Sequence, residues 1–179
     1  RGKVVWIYDE LGYPSASAGG RVLDGHPEYQ AWAVSCRQFK SDKGSVDVNV
    51  KHQHVEACVA LARGGEGLSL EGAVDLTEDA RSGSFTWKAP GGEWTVCLFE
   101  RHQPDTWKRH NIPRRNVNIM DRDASARFIE FTHERYAKEL GPQLAEVTLF
   151  FTDEPQFGAT EPWMYGHEEA APAVQWCDE

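Results

Sequence analysis

The last fifth of the chain contains no lysine or arginine. Residues 143–179 hold eight acidic side chains and no basic one, whereas residues 1–142 hold all 19 Lys and Arg against 20 Asp and Glu. The formal net charge of −9 over 179 residues therefore belongs to the C-terminal segment. With an isoelectric point near 5.3, the chain lacks the basic footprint that nucleic-acid binding requires. Long apolar runs are also missing: none approaches the roughly 20 residues of a membrane helix, so no membrane span is expected. There is no initiator Met and no charged-then-apolar leader at Arg1, which suggests a processed N-terminus or an internal piece of a longer polypeptide. Cysteine is sparse. Cys36, Cys58, Cys97 and Cys177 are widely spaced without a C-x-x-C pair, which argues against a zinc knuckle or redox motif and leaves disulfide pairing open. They read as small buried hydrophobes. No internal repeat or low-complexity tract is visible.

What is present has a readable order. Lys3-Val4-Val5-Trp6-Ile7-Tyr8 is an apolar, β-branched and aromatic run that reads as a strand buried on both faces. A loop of small residues follows. Pro27 then suits a first helical turn, and Tyr29, Trp32, Ala33, Cys36 and Phe39 recur at helical spacing, predicting a helix over residues 28–39. Val46, Val48 and Val50 alternate with Asp47, Asn49 and Lys51, the period of a half-exposed strand. Residues 55–61 suit a strand or a short helix. Phe85-Thr86-Trp87 and Trp94-Thr95-Val96-Cys97-Leu98-Phe99 flank Ala89-Pro90-Gly91-Gly92, which predicts a β-hairpin. Asp121 or Asp123 caps a helix reaching Leu140, with Phe128, Phe131, Thr132, Arg135, Tyr136 and Leu140 along one face and Gly141-Pro142 as its stop. Val147-Thr148-Leu149-Phe150-Phe151 reads as a second buried strand. The two apolar strands separated by helices predict parallel pairing in an α/β sheet. Three segments result: residues 1–44 as a first βα portion, 45–100 as an inserted β-rich module, and 101–179 as a continuation.

Candidate chemistry sits where the two strands stop. One runs into Asp9-Glu10 and the other into Asp153-Glu154-Pro155. In parallel α/β folds the C-terminal strand ends face the ligand. Adjacent carboxylates repel, which raises the pKa of one of them. Glycoside hydrolysis needs such a pair, one acid protonating the leaving oxygen and a second carboxylate attacking or activating water. The plain alternative is that Asp9 and Asp153 cap the following loops or helices. Lesser candidates are His26, in the loop after the first strand, and Trp163 and Tyr165, aromatics placed to stack on a sugar face or to pack in a core. His52-Gln53-His54 suits a metal by alternation but has no apparent third ligand. His133 and Glu134 read as helix-surface residues. Lys108, Arg109, Arg114 and Arg115 read as a solvated basic loop.

These residues carry a family resemblance. Tyr8-Asp9-Glu10-Leu11-Gly12-Tyr13-Pro14-Ser15, Ala18-Gly19-Gly20-Arg21-Val22-Leu23, His26-Pro27-Glu28-Tyr29, Asn118-Ile119-Met120-Asp121, Phe128-Ile129, Thr132-His133-Glu134, Tyr136 and Phe151-Thr152-Asp153-Glu154-Pro155 resemble, in order, segments of glycoside hydrolase family 106, the α-L-rhamnosidase group. Ala73-Val74-Asp75-Leu76-Thr77 and Pro90-Gly91-Gly92-Glu93-Trp94 are similar to its β-insertion. The likeness spans nearly the whole chain. It departs at Ala16, where the family pattern calls for glycine; a positive φ there would strain an alanine. The resemblance implies an α/β fold, a partial (β/α)8 TIM-barrel segment with an inserted small antiparallel β-module, since about 250 residues are needed to close such a barrel. It further implies a secreted or periplasmic glycosidase acting on carbohydrate, with the rest of the polypeptide missing and calcium near the sugar hydroxyls. No metal ligand is assigned from the residues. Glu154 becomes the candidate general acid and Glu10 the candidate second carboxylate or hydroxyl-binding residue. Asp9, Asp153, His26, Trp163 and Tyr165 are the candidate substrate contacts. Two alternatives stand beside this: a non-catalytic carbohydrate-binding or inert hydrolase-like protein, and a fragment without activity of its own.

Overall fold

Alternating side chains along the middle of the chain build sheets rather than helices. The computed structural model describes residues 2–9, 15–41, 44–64, 67–103, 108–109, 112–113, 116–153 and 173–176. Strands are β1 Val5–Tyr8, β2 Trp32–Lys40, β3 Ser45–Val48, β4 His54–Gly64, β5 Gly67–Asp75, β6 Phe85–Lys88, β7 Trp94–His102, β8 Lys108–Arg109, β9 Ile112–Pro113, β10 Val147–Phe151 and β11 Ala173–Trp176. Helices are α1 Thr77–Arg81, α2 Arg122–Ile129 and α3 Arg135–Leu140, the last two joined by a π-helical turn, Glu130–Glu134. The chain divides into two units. One takes in Arg1–Trp32, Gln103–Ala159 and Cys177–Glu179, and the other Ala33–His102 and Thr160–Trp176. Among the described residues no helix is long and apolar enough to cross a membrane.

This architecture overturns the expected α/β barrel segment. Most described strands pair antiparallel, and the only helix of substance is the α2–α3 run, so no repeating strand–helix pattern exists among the described residues. The clearest misreading is residues 28–39. Pro27 does open a helical turn, but it is the single 3-10 turn Pro27–Tyr29, which ends at an extended Gln30. From Trp32 onward the chain is β2, paired antiparallel with β7 from Ala33↔His102 to Lys40↔Thr95. Within this strand Ala33, Ser35, Arg37 and Phe39 share one face and Trp32, Val34, Cys36 and Gln38 the other, so the apolar positions that mimic helical spacing are divided between the two faces.

The second unit is organised by β7. It is the centre of a five-stranded sheet of order β11-β2-β7-β4-β5. Across one face lies the β3–β6 ribbon, in register from Ser45↔Lys88 to Val48↔Phe85. Val46 and Val48 from the ribbon pack on Val55, Cys58, Ala60, Val96 and Leu98 of the sheet, with α1 adding Ala80. The alternation at Val46 and Val48 was therefore legible, and residues 55–61 form strand. The expected β6–β7 hairpin does not form. β6 pairs with β3, and β7 with β2 and β4, so the Ala89-Pro90-Gly91-Gly92 connection crosses between two layers. Trp87 and Trp94, at the two ends of that connection, meet edge to face at 5.4 Å and fill the inter-layer space.

A buried carboxylate fastens this unit. Glu100 on β7 has no exposed side-chain surface. Its Oε2 accepts from Arg37 Nε at 2.9 Å and Nη2 at 2.6 Å. Its Oε1 accepts from the backbone N–H groups of Lys51 and His52, each at 2.8 Å. Arg37 also donates to the Asn49 carbonyl, so one ion pair folds residues 49–52 onto the sheet. Burial works against ionisation of Glu100, but the hydrogen bonds from His52, Arg37 and Lys51 outweigh it and hold the carboxyl below its ordinary value. Beside it the His52 and His102 rings stack at 4.5 Å. Burial and the neighbouring His102 push the His52 imidazole down.

The first unit holds β1 and β10, which pair in parallel from Val5↔Val147 to Tyr8↔Phe151, as their sequence order suggested. They are not buried on both faces. Phe150 packs toward the helix, stacked on His133 at 5.4 Å, while the opposite face, Trp6, Tyr8, Leu149 and Phe151, is open, with Trp6 64% exposed. Apolar composition alone could not distinguish a strand covered twice from one covered once. Asp121 caps α2 as expected, its side chain accepting from Asp123 N at 2.8 Å and Ala124 N at 3.0 Å. Ala124 and Phe128 then pack against Val22, Val117 and Ala16. The Thr132 hydroxyl donates to the Phe128 carbonyl at 2.6 Å inside the π-helical turn, a local competition that widens the helix there.

Replacing Glu100 by Gln is expected to destabilise the second unit by about 2–4 kcal/mol at pH 7, because Arg37 loses its charge partner in a buried setting. Glu100 has a lowered folded-state pKa, so its contribution is present above the ordinary carboxyl value of 4.5 and fades as pH falls below it. Urea unfolding of wild type and Glu100→Gln at pH 7 and pH 3 checks this: the gap should shrink at pH 3, and an unchanged gap would refute the ionised assignment.

Candidate functional site

The parallel register determines what lies at the strand ends. Because Tyr8 pairs with Phe151, Asp9 follows β1 where Thr152 and Asp153 follow β10, and Asp9 N continues the ladder to the Phe151 carbonyl at 3.1 Å. Asp9 is 1% exposed. Both of its oxygens are occupied: Ser15 Oγ donates to Oδ1 at 2.9 Å and Thr152 Oγ1 to Oδ2 at 2.6 Å. Ser15 has a second task. Its Oγ accepts from Asp153 N at 2.9 Å, and its own N–H donates to the Asp153 carbonyl at 2.9 Å. Asp153 is half-buried, and its Oδ2 accepts from the Tyr8 hydroxyl at 3.1 Å. Tyr136 of α3 donates to the Tyr8 carbonyl at 3.3 Å. The result is a closed ring, Asp9–Ser15–Asp153–Thr152, braced by two tyrosines.

The expected candidates separate on this geometry. Asp9 and Asp153 do meet, through Ser15. Asp9, however, is withdrawn from solvent and accepts one hydroxyl at each oxygen, which orients it within the ring. Asp153 is the described acid that solvent reaches here. His26 stands apart: its Nδ1 is 2.8 Å from Glu28 Oε1 and its ring stacks on Tyr29 at 4.8 Å. It lines an open cleft of about 410 Å³ with Arg127, Glu130 and Glu134 that shares no residue with the strand-end ring. Glu10, Glu154, Trp163 and Tyr165 lie outside the described residues. Ser15 and Thr152 went unassigned from sequence; Thr152, next to Asp153, was the one of the two with a local signal.

The remaining candidates have structural roles. His52 stacks on His102, and His54 opens β4. His133 Nδ1 lies 2.9 Å from the Thr132 hydroxyl and its ring packs on Phe150. Calcium takes six to eight oxygen ligands, yet among the described residues no three His, Cys, Asp or Glu converge on an ion. Each Asp9 oxygen gives one lone pair to a hydroxyl, and no calcium ligand set is assigned among the described residues. Cys36, Cys58 and Cys97 are free thiols, and burial pushes Cys36 and Cys58 up to about 11, which suits packing and not nucleophilic work.

Compared with family models, curated proteins and solved structures, the chain matches none.

The loop that supplies Ser15 is strained. Ala16 has φ +107° and Ala18 φ +48°, both in the left-handed region that favours glycine. A non-glycine residue in such a conformation costs on the order of 1–3 kcal/mol. Ala16 is also buried, so losing its methyl costs roughly 0.8 kcal/mol. Ala16→Gly should therefore change stability by no more than about 1 kcal/mol, because strain relief offsets the lost methyl and the added chain entropy. The unstrained, fully buried Ala33 is the control: Ala33→Gly should cost about 1–2 kcal/mol. Chemical denaturation of both variants checks this, and equal losses would sink the strain assignment.

Proposed function

We propose that the chain carries a glycoside hydrolase site, cleaving a terminal α-L-rhamnose or related deoxy-sugar from a glycoside or polysaccharide by carboxylate acid–base chemistry. The observation that supports it is the parallel register of β1 and β10, which sets Asp9 beside Thr152-Asp153; in the sequence, Glu10 and Glu154 come next. Glycosidases need two carboxyl groups flanking the scissile bond, with environments that separate an acid from a base. On this reading Glu154 is the general acid and Glu10 the second carboxylate, or a residue that binds sugar hydroxyls. Asp153 contacts the sugar, its orientation held by Tyr8. Asp9 acts through Ser15 and Thr152 as a positioning residue. The ordered likeness to glycoside hydrolase family 106 favours the rhamnose class, and with it an exported protein.

A second reading, carbohydrate binding without catalysis, is favoured by one observation. Trp6, Tyr8 and Phe151 share an open sheet face, with Tyr8 and Phe151 rings 5.6 Å apart, and such a platform stacks on sugar rings without needing an acid. One substitution series distinguishes the two. In the full-length protein, Glu154→Gln should abolish hydrolysis of an aryl rhamnoside, lowering kcat/KM by at least about 1,000-fold while leaving thermal unfolding intact. Activity retained within about tenfold removes Glu154 from the acid role. Sugar affinity unchanged by Glu154→Gln and Glu10→Gln, with no hydrolysis in the wild type, supports the binding reading.

A further inference from the structure

A cavity of about 170 Å³ lies next to the strand-end ring, walled by Ala16, Val117, Ile119, Ala124 and Phe128. Its polar rim is Ser15, Ser125 and Thr152. Each of those hydroxyls has already committed its proton: Ser15 and Thr152 to Asp9, and Ser125 to the Ile119 carbonyl at 2.9 Å. Among the described residues the rim thus offers lone pairs but no free donor. A hydroxyl or water entering the cavity would find no donor for its own oxygen, and burying such a group costs several-fold to a hundredfold in affinity. An apolar group meets no such penalty. Size narrows the choice: an apolar cavity of about 150 Å³ takes up benzene, whereas a lone methyl would leave most of this space empty. Thr152, exposed at the rim, connects the cavity to the end of the sheet where Asp153 stands.

We infer that this cavity is a subsite for a phenyl-sized apolar group on a hydroxylated ligand, so that the ligands of this site are aryl glycosides, with the ring in the cavity and the sugar against Asp153. The assignment rests on the carbohydrate reading above and adds the aglycone to it. Burying a phenyl ring is worth on the order of 10- to 100-fold in affinity.

The test uses the full-length protein with three probes: benzene, a phenyl glycoside and the methyl glycoside of the same sugar. Methyl-group NMR of Val117, Ile119 and Ala124 reports the cavity, and titration calorimetry reports affinity. The expected result is that benzene and the phenyl glycoside move those resonances, and that the phenyl glycoside binds 10- to 100-fold more tightly than the methyl one. Ile119→Phe, which fills the cavity from within, should remove that preference. Should this variant fail to fold, Ile119→Ala enlarges the cavity instead and should keep benzene uptake. Equal affinity for the two glycosides, or glycoside binding without benzene uptake, overturns the aryl assignment and leaves the carbohydrate reading standing. Benzene uptake with no affinity for either glycoside overturns the carbohydrate reading and the aryl assignment with it.

Discussion

A carboxylate buried at the end of a strand must find donors for two oxygens, and in the first unit that requirement organises everything around it. Asp9 finds them in Ser15, on the loop after β1, and Thr152, at the end of β10. Meeting it holds Ser15 at the strand ends within hydrogen-bond reach of Asp153, on the rim of the neighbouring cavity. Without those donors a buried carboxylate would be intolerable. The strained backbone at Ala16 sits immediately after Ser15, where the loop must turn sharply to keep its hydroxyl between the two acids.

The second unit meets the same requirement with different donors. Glu100 has no exposed surface and is held by one guanidinium and two backbone N–H groups. The two cases differ in what they hold. Asp9 ties two strand ends of distant sequence, whereas Glu100 ties the connection before β4 to the middle of a sheet. Buried ion pairs of this kind contribute little net stability but make alternative arrangements costly, because an unpaired partner would be stranded.

How much of this could be read from the residues depends on how local the determinant was. The Asp121 cap and the Val46–Val48 alternation are local and legible. So was the pairing of β1 with β10, since two apolar runs separated by a helix favour parallel partners. Residues 28–39 were misread because Tyr29, Trp32, Ala33, Cys36 and Phe39 recur at helical spacing, whereas the strand divides Trp32 and Cys36 from Ala33 and Phe39 and is fixed by pairing with the distant β7. The Pro-Gly-Gly connection was correctly a turn, but whether its flanking strands pair with each other or join two layers depends on β3 and β4. At the site, the meeting of Asp9 with Asp153 was foreseeable from two matching strand ends. The role of Ser15 was not, because a serine in a loop of small residues carries no signal until the loop folds back.

The three described thiols are all in the second unit, at Cys36 on β2, Cys58 on β4 and Cys97 on β7. Burial comes first among the causes that raise each of them, so in the folded unit they are thiols, not thiolates, at neutral pH. An alkylating reagent therefore reaches these sulfurs as reactive nucleophiles only when the sheet opens. The three central strands of that sheet carry their own clocks, and the order in which their sulfurs become modified would trace the order in which the strands come apart.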